Sequence, residues 1–133
     1  MPISLPITTL LALLLAAIYL LQTWSVIRVR RSMKIVLGDD GNRSVQKRIR
    51  GHANMAEQAP IFIILILLAE IQCCVSMAWL WVLGAVFFMG RVFHAYYFLD
   101  IGAHHRFRFW GMFLTLICHF AIILTLVLTL ARG

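Results

Sequence analysis

Three stretches of this chain, residues 1–27, 71–90 and 109–131, contain no Asp, Glu, Lys or Arg. Each is about as long as the ~20 apolar residues that carry a helix across a bilayer. A fourth apolar window, 58–69, ends at Glu70. A chain of 133 residues that is 62% hydrophobic, with mean hydropathy +0.91, cannot hide so much apolar surface in a soluble core. The runs are long and do not alternate, which selects helices over barrel strands. The reading is an all-α membrane protein: one domain, 1–133, built as an antiparallel four-transmembrane-helix bundle. The spans are expected near 5–27, 55–75, 77–99 and 108–130, with the first two helices extended to about 5–30 and 45–75. The first span is read as retained rather than as a signal peptide, because its basic cluster follows the apolar run instead of preceding it.

Net charge is +7, and its placement says more than its size. Arg28, Arg30, Arg31, Lys34, Arg43, Lys47, Arg48 and Arg50 lie between the first two spans, and Arg106 and Arg108 between the last two. The segment around 72–76 has no charge. By the positive-inside rule both basic loops are cytoplasmic and both termini lie on the other side. Topology accounts for most of the basic excess, so no nucleic-acid partner is inferred. Gly38-Asp39-Asp40-Gly41-Asn42 is a strong loop signal, and Ser44 is the expected N-cap of the second helix. Pro60 should kink that helix. Cys73, Cys74 and Cys118 have no metal-ligand spacing and read as packing residues, so no metal is expected.

Two polar constellations interrupt the apolar pattern. Arg50, Asn54 and Glu57 stand at i, i+4 and i+7, within about 60° of one helical face, just where the chain enters the bilayer. Arg91 and His94 stand at i, i+3 on the third span. An unpartnered arginine in a lipid-embedded helix costs about 2.5–3.5 kcal/mol on insertion scales, so Arg91 should face the bundle interior. Glu57 is the acid at comparable depth, so Arg91 is expected to touch Glu57 or a neighbouring polar group in the bundle interior. Arg108 opens the fourth span, and Arg28 ends the first. Every helix thus brings a basic group to one leaflet, a ring suited to a small anion with several carboxylates. Plain readings stand beside this one: a buried ion pair that fixes register for Arg91, a packed histidine for His94, and a snorkelling anchor for Arg108.

These residues resemble the family of membrane-associated proteins in eicosanoid and glutathione metabolism. Arg50-x-His52-x-Asn54-x-x-Glu57 followed by Pro60 is similar to the family's second-helix signature, and Gly90-Arg91-x-x-His94 to its third-helix motif. Arg28-Val29-Arg30 resembles the basic end of the first helix, and Arg108 before Gly111-Met112 the arginine that opens the fourth. Three positions depart from the pattern. Phe98 stands where a tyrosine is frequent, Phe109 where a serine follows the arginine, and Ala53 where an arginine precedes the asparagine. The chain looks most like the compact bacterial branch.

The resemblance implies a homotrimer with glutathione bound between subunits near the cytoplasmic leaflet of a bacterial inner membrane. It implies that Arg28, Arg50, Asn54, Glu57 and Arg91 hold the peptide, with His94 and Tyr97 as further binding candidates, and that Arg108 activates the thiol. The expected activity is a glutathione transferase, with peroxidase chemistry as a variant, in which glutathione is co-substrate and a lipophilic electrophile arrives from the bilayer. A non-catalytic glutathione-binding protein and a structural membrane protein of the same fold are the competing readings.

The topology gives a direct test. A cysteine tag placed in 38–42 should react from the cytoplasmic side and one at Gly133 from the opposite side. Labelling of both from one side contradicts the four-span reading.

Overall fold

The computed structural model describes residues 4–72, 74–99 and 102–132. They form α1 (Pro6–Met33), α2 (Arg43–Ile71), α3 (Met77–Leu99) and α4 (His105–Arg132). Each helix is long and apolar enough to cross a membrane. Cys73 and Gly133, on which sequence expectations were placed, lie outside the described residues; Cys74 is exposed, and Cys118 is buried with its thiol directed at the Leu83 carbonyl.

The helix ends follow from local chemistry. Pro6 sits in the first turn of α1, where its missing N–H costs nothing. Lys34 closes α1 in a left-handed conformation, and its N–H returns to the carbonyls of Arg30 and Arg31. The chain then turns through Gly38, Asp40 and Gly41, all with positive φ. The N-cap of α2 is Asn42, not Ser44: the Asn42 Oδ1 accepts from the N–H groups of Ser44 and Val45 at 2.9 and 3.2 Å. An asparagine side chain reaches these orphan donors from one position before the first helical residue, so α2 starts earlier than Ser44 would have allowed. It runs through Pro60 and ends at Ile71, short of the expected 75. At 29 residues it is about 44 Å long, well beyond a hydrocarbon core of about 30 Å, so its basic first turns project out of the apolar layer.

Contacts along the bundle fix its direction. α1 and α2 are antiparallel, with Ile7 beside Glu70 at one end and Thr23 beside His52 toward the other. α2 and α3 are antiparallel, with Asn54 against Arg91 and the rings of Phe62 and Phe87 stacked at 3.8 Å. α3 and α4 pair Trp79 with Thr125 and Arg91 with Thr115. The core runs along the bundle axis through Leu11, Met55, Phe62, Ile66, Phe87, Cys118 and Ile122. Large apolar side chains such as Leu13, Leu20, Phe120 and Leu130 point outward, as lipid-facing positions require.

Two glycines allow α3 and α4 to approach closely. A Cβ on Gly111 would lie 2.6 Å from the His94 backbone nitrogen and 2.8 Å from the Gly90 carbonyl oxygen. Small residues at such crossings are how membrane helices gain packing without a hydrophobic drive between them. The approach brings Thr115 and Arg108 of α4 alongside Arg91 and His94 of α3.

Glu70 ties the opposite end together. Its carboxylate is buried and accepts from the N–H groups of Ile7 and Thr8 at 3.0 and 2.9 Å and from the Thr8 hydroxyl at 2.6 Å. It caps the N-terminus of α1 from another helix, satisfying donors that the bilayer cannot. Glu70→Gln replaces one accepting oxygen with a donor facing donors. The loss should be about 1–3 kcal/mol, read as a lower unfolding midpoint in detergent. An unchanged midpoint would show that this cap contributes nothing.

Candidate functional site

Arg91 is fully buried in the second half of α3. Its Nη2 donates to the Asn54 Oδ1 at 3.0 Å and approaches the His94 Nδ1 at 3.3 Å, while Nη1 approaches the Thr115 Oγ1 at 3.5 Å. A guanidinium only donates, so the His94 Nδ1 is the acceptor and the ring proton of neutral His94 sits on Nε2. The Thr115 hydroxyl hydrogen is engaged with the Gly111 carbonyl at 2.8 Å, leaving a lone pair for Arg91. Arg91 therefore joins α2, α3 and α4 at one point.

The expected ion pair with Glu57 is not formed. Glu57 is exposed on the outer side of α2, and among the described residues no carboxylate lies within ion-pair distance of Arg91. The reason is angular. Asn54 and Glu57 are three residues apart and diverge by about 60° around the helix, which is enough to turn one into the bundle and the other out of it. The two terminal nitrogens of Arg91 meet an amide, an imidazole and a hydroxyl, while its buried Nε has no hydrogen-bond partner among the described residues.

Those surroundings are an open cleft of about 650 Å³ between the basic ends of α2, α3 and α4. Arg50 and Asn54 line it from α2, His94, Tyr97 and Phe98 from α3, and Arg108 and Met112 from α4. The structure thus gathers five of the sequence-derived candidates, Arg50, Asn54, His94, Tyr97 and Arg108, around one cavity, with Arg91 directly behind Asn54 and His94. Arg28 and Glu57 are exposed elsewhere and do not line it. Gly51 makes room for the wall: a Cβ there would come within 2.4 Å of the Phe98 Cβ.

Sequence reasoning missed Arg43, Gln46 and Lys47, which extend the cleft outward, and Thr115, which supports Arg91. The signal for the first group was present. Arg43, Lys47, Arg50 and Asn54 repeat at i, i+4, i+7 and i+11, a single helical stripe, but the basic run was assigned to topology. Lys47 rests over the Tyr97 ring at 3.9 Å, and Arg108 lies 5.9 Å from the Phe98 ring. Arg48 lies behind the cleft wall, where one guanidinium nitrogen donates to the Ser25 hydroxyl and to the Leu99 carbonyl, joining α1, α2 and α3.

The described lining carries four cationic side chains, Arg43, Lys47, Arg50 and Arg108, and no acid. Arg108 and Met112 also line a second groove of about 430 Å³ on the outward face of α4, with Phe109, Phe113 and Leu116. Arg108 therefore stands between a polar, cationic cavity and an apolar, lipid-facing one. No group of three or more metal-binding side chains occurs among the described residues. The arrangement suits an anion held next to an apolar partner.

Comparison with known proteins places the chain in a family. A model of the MAPEG family matches residues 8–128. The inner membrane protein YecN of Escherichia coli K12 is 32% identical over 105 residues, 78% of this chain and 75% of YecN. YecN of Escherichia coli O6:H1 strain CFT073 matches to the same extent. No solved structure matches the chain significantly.

The node at Arg91 makes a quantitative expectation. Asn54→Leu removes an acceptor from a buried guanidinium and should cost about 1–3 kcal/mol. Adding Arg91→Met should cost less than the sum of the two single changes, because the orphaned charge is then gone. The same cycle with Glu57→Leu should be additive. Unfolding titrations of the reconstituted variants measure both. Coupling to Glu57 but not to Asn54 would contradict the assignment.

Proposed function

This chain belongs to the MAPEG family, and on that premise we propose that it is a membrane-embedded glutathione transferase of the inner membrane. The observation that carries the reading is the position of Arg108 and Met112 on both the cationic cleft and the apolar groove of α4. A thiol peptide with carboxylates and a lipophilic electrophile would meet at that boundary.

In this reading Arg50 and Asn54 bind the peptide carboxylates and amides, Arg91 adds a buried positive field, and His94 and Tyr97 complete the wall. Guanidinium groups fit carboxylates in paired hydrogen bonds and remain charged at any working pH. Arg108 is the catalytic residue: its charge stabilises the thiolate of bound glutathione. With an aryl halide, the thiolate sulfur forms a bond to the ring carbon, the carbon–halogen bond breaks, and halide leaves. The thiol proton passes to solvent. No protein nucleophile takes part, and binding both reactants at one boundary supplies orientation.

Arg28 and Glu57 act from a neighbouring protomer in this proposal. Both are exposed on the single chain, and an exposed carboxylate entering the apolar layer is stable only when something covers it. A homotrimer, with the cleft facing the cytoplasm, provides that cover. Phe98 and Phe109 offer no hydroxyl, so in this reading thiol activation falls to Arg108.

The test separates binding from activation. Arg108→Leu should leave glutathione affinity within a few fold while the bound thiol returns toward its free acidity. Each unit of that return is about 1.36 kcal/mol of lost preference for the thiolate. Turnover of a model aryl halide should fall in step, whereas Arg50→Leu should weaken affinity first. If Arg108→Leu keeps the ultraviolet thiolate signal and full turnover, Arg108 is an interfacial anchor and the reading fails.

A further inference from the structure

Arg91 dictates which atoms its neighbours can show to the cleft. A guanidinium has hydrogens to give and no lone pair to accept one. It therefore engages the acceptor end of each partner. The Asn54 Oδ1 faces it at 3.0 Å and the His94 Nδ1 at 3.3 Å. The Asn54 Nδ2, with its two hydrogens, is thereby turned away from Arg91. The opposite orientation of the amide would set donor against donor at a buried guanidinium.

The Asn54 Nδ2 points instead at the Met112 Sδ, 4.0 Å away. A thioether is a weak acceptor, so a good donor on the cleft wall meets a poor partner. Met112 lies where the cationic cleft and the apolar groove of α4 meet, one helical turn after Arg108. The Asn54 amide and the Arg108 guanidinium thus border the same boundary.

We propose that Asn54 is a second catalytic residue, whose Nδ2–H donates to the thiolate sulfur of bound glutathione beside Arg108, and that Arg91 is the positioning residue that holds it in that orientation. The proposal rests on the thiol reading and refines the place of Asn54 in it. An amide takes up no proton at a working pH, so the thiol proton still leaves to solvent and Asn54 keeps both hydrogens. Its contribution is a hydrogen bond to the charged form, which favours thiolate over thiol. The donor is oriented before the charge develops, so little reorganisation opposes it.

S-methylglutathione separates the sulfur from the peptide, because it carries the same carboxylates and amides but forms no thiolate. The full chain in nonionic detergent is titrated with glutathione and with S-methylglutathione, at a pH where the wild-type complex shows the ultraviolet thiolate band. The ratio of the two affinities is the readout. Asn54→Leu should lower that ratio about tenfold, the effect of about one pKa unit of lost thiolate preference. Arg50→Leu should weaken both ligands alike. Asn54→Asp keeps an oxygen for Arg91 but replaces the donor with an acceptor. It should lower the ratio at least as far, and it carries the test if the leucine variant does not fold. Arg91→Met should also lower the ratio, and adding Asn54→Leu to it should change the ratio by less than about twofold, because Arg91 acts through Asn54. A full further loss in the double variant would remove the positioning role of Arg91. Equal weakening of both ligands by Asn54→Leu would make Asn54 a peptide contact and overturn the proposal, while the thiol reading stands if Arg108→Leu lowers the ratio. A wild-type chain that binds no glutathione would overturn the reading and the proposal together.

Discussion

A guanidinium without solvent contact organises one half of this bundle. Arg91 lies in α3, yet its hydrogen-bonding partners come from α2, α3 and α4. Leaving such a donor unsatisfied in an apolar interior costs several times what an ordinary hydrogen bond contributes. The side chains that meet it are therefore held in place, and two of them, Asn54 and His94, form the inner wall of the cleft. The described partners of the Arg91 terminal nitrogens are uncharged. A buried ion pair would have cancelled the charge, whereas an amide, an imidazole and a hydroxyl solvate it and let its field reach the cavity.

The glycine crossing of α3 and α4 is the condition for this arrangement. Gly111 packs against the backbone of His94 and Gly90 more closely than any side chain would allow. The same close approach sets Thr115 against Arg91 and brings Arg108 to the rim. At the other end of the molecule Glu70 performs a separate task, holding the start of α1 onto α2. The bundle thus has a sealed end fixed by a carboxylate and an open end dominated by cations.

Much of this was legible in the sequence. The uncharged windows give four spanning helices, and the basic segments place the positive groups at one end. The spacing of Arg50 with Asn54 and of Arg91 with His94 marks the faces that meet. What the sequence could not provide is the rotation of each helix to within a fraction of a turn. That angle decides between Asn54 and Glu57 as the partner of Arg91, and only packing against three neighbours sets it. Ser and Asn both cap well, so residue type alone does not separate Ser44 from Asn42, and the loop geometry of Gly38, Asp40 and Gly41 is needed to choose. The outer cations were hidden by a competing explanation: positive-inside topology accounts for basic residues without regard to which face of a helix they occupy.

The central claim is that the cationic cleft is a specific site for a thiol peptide rather than a by-product of topology. Calorimetric titration of the purified chain with glutathione in nonionic detergent tests it most directly, with a tripeptide of the same composition but both carboxylates amidated as the comparison. The account predicts saturable binding of glutathione at no more than one molecule per protomer, with the amidated peptide weaker by at least tenfold. Failure of glutathione to saturate at millimolar concentration, or equal binding of the two peptides, would contradict it.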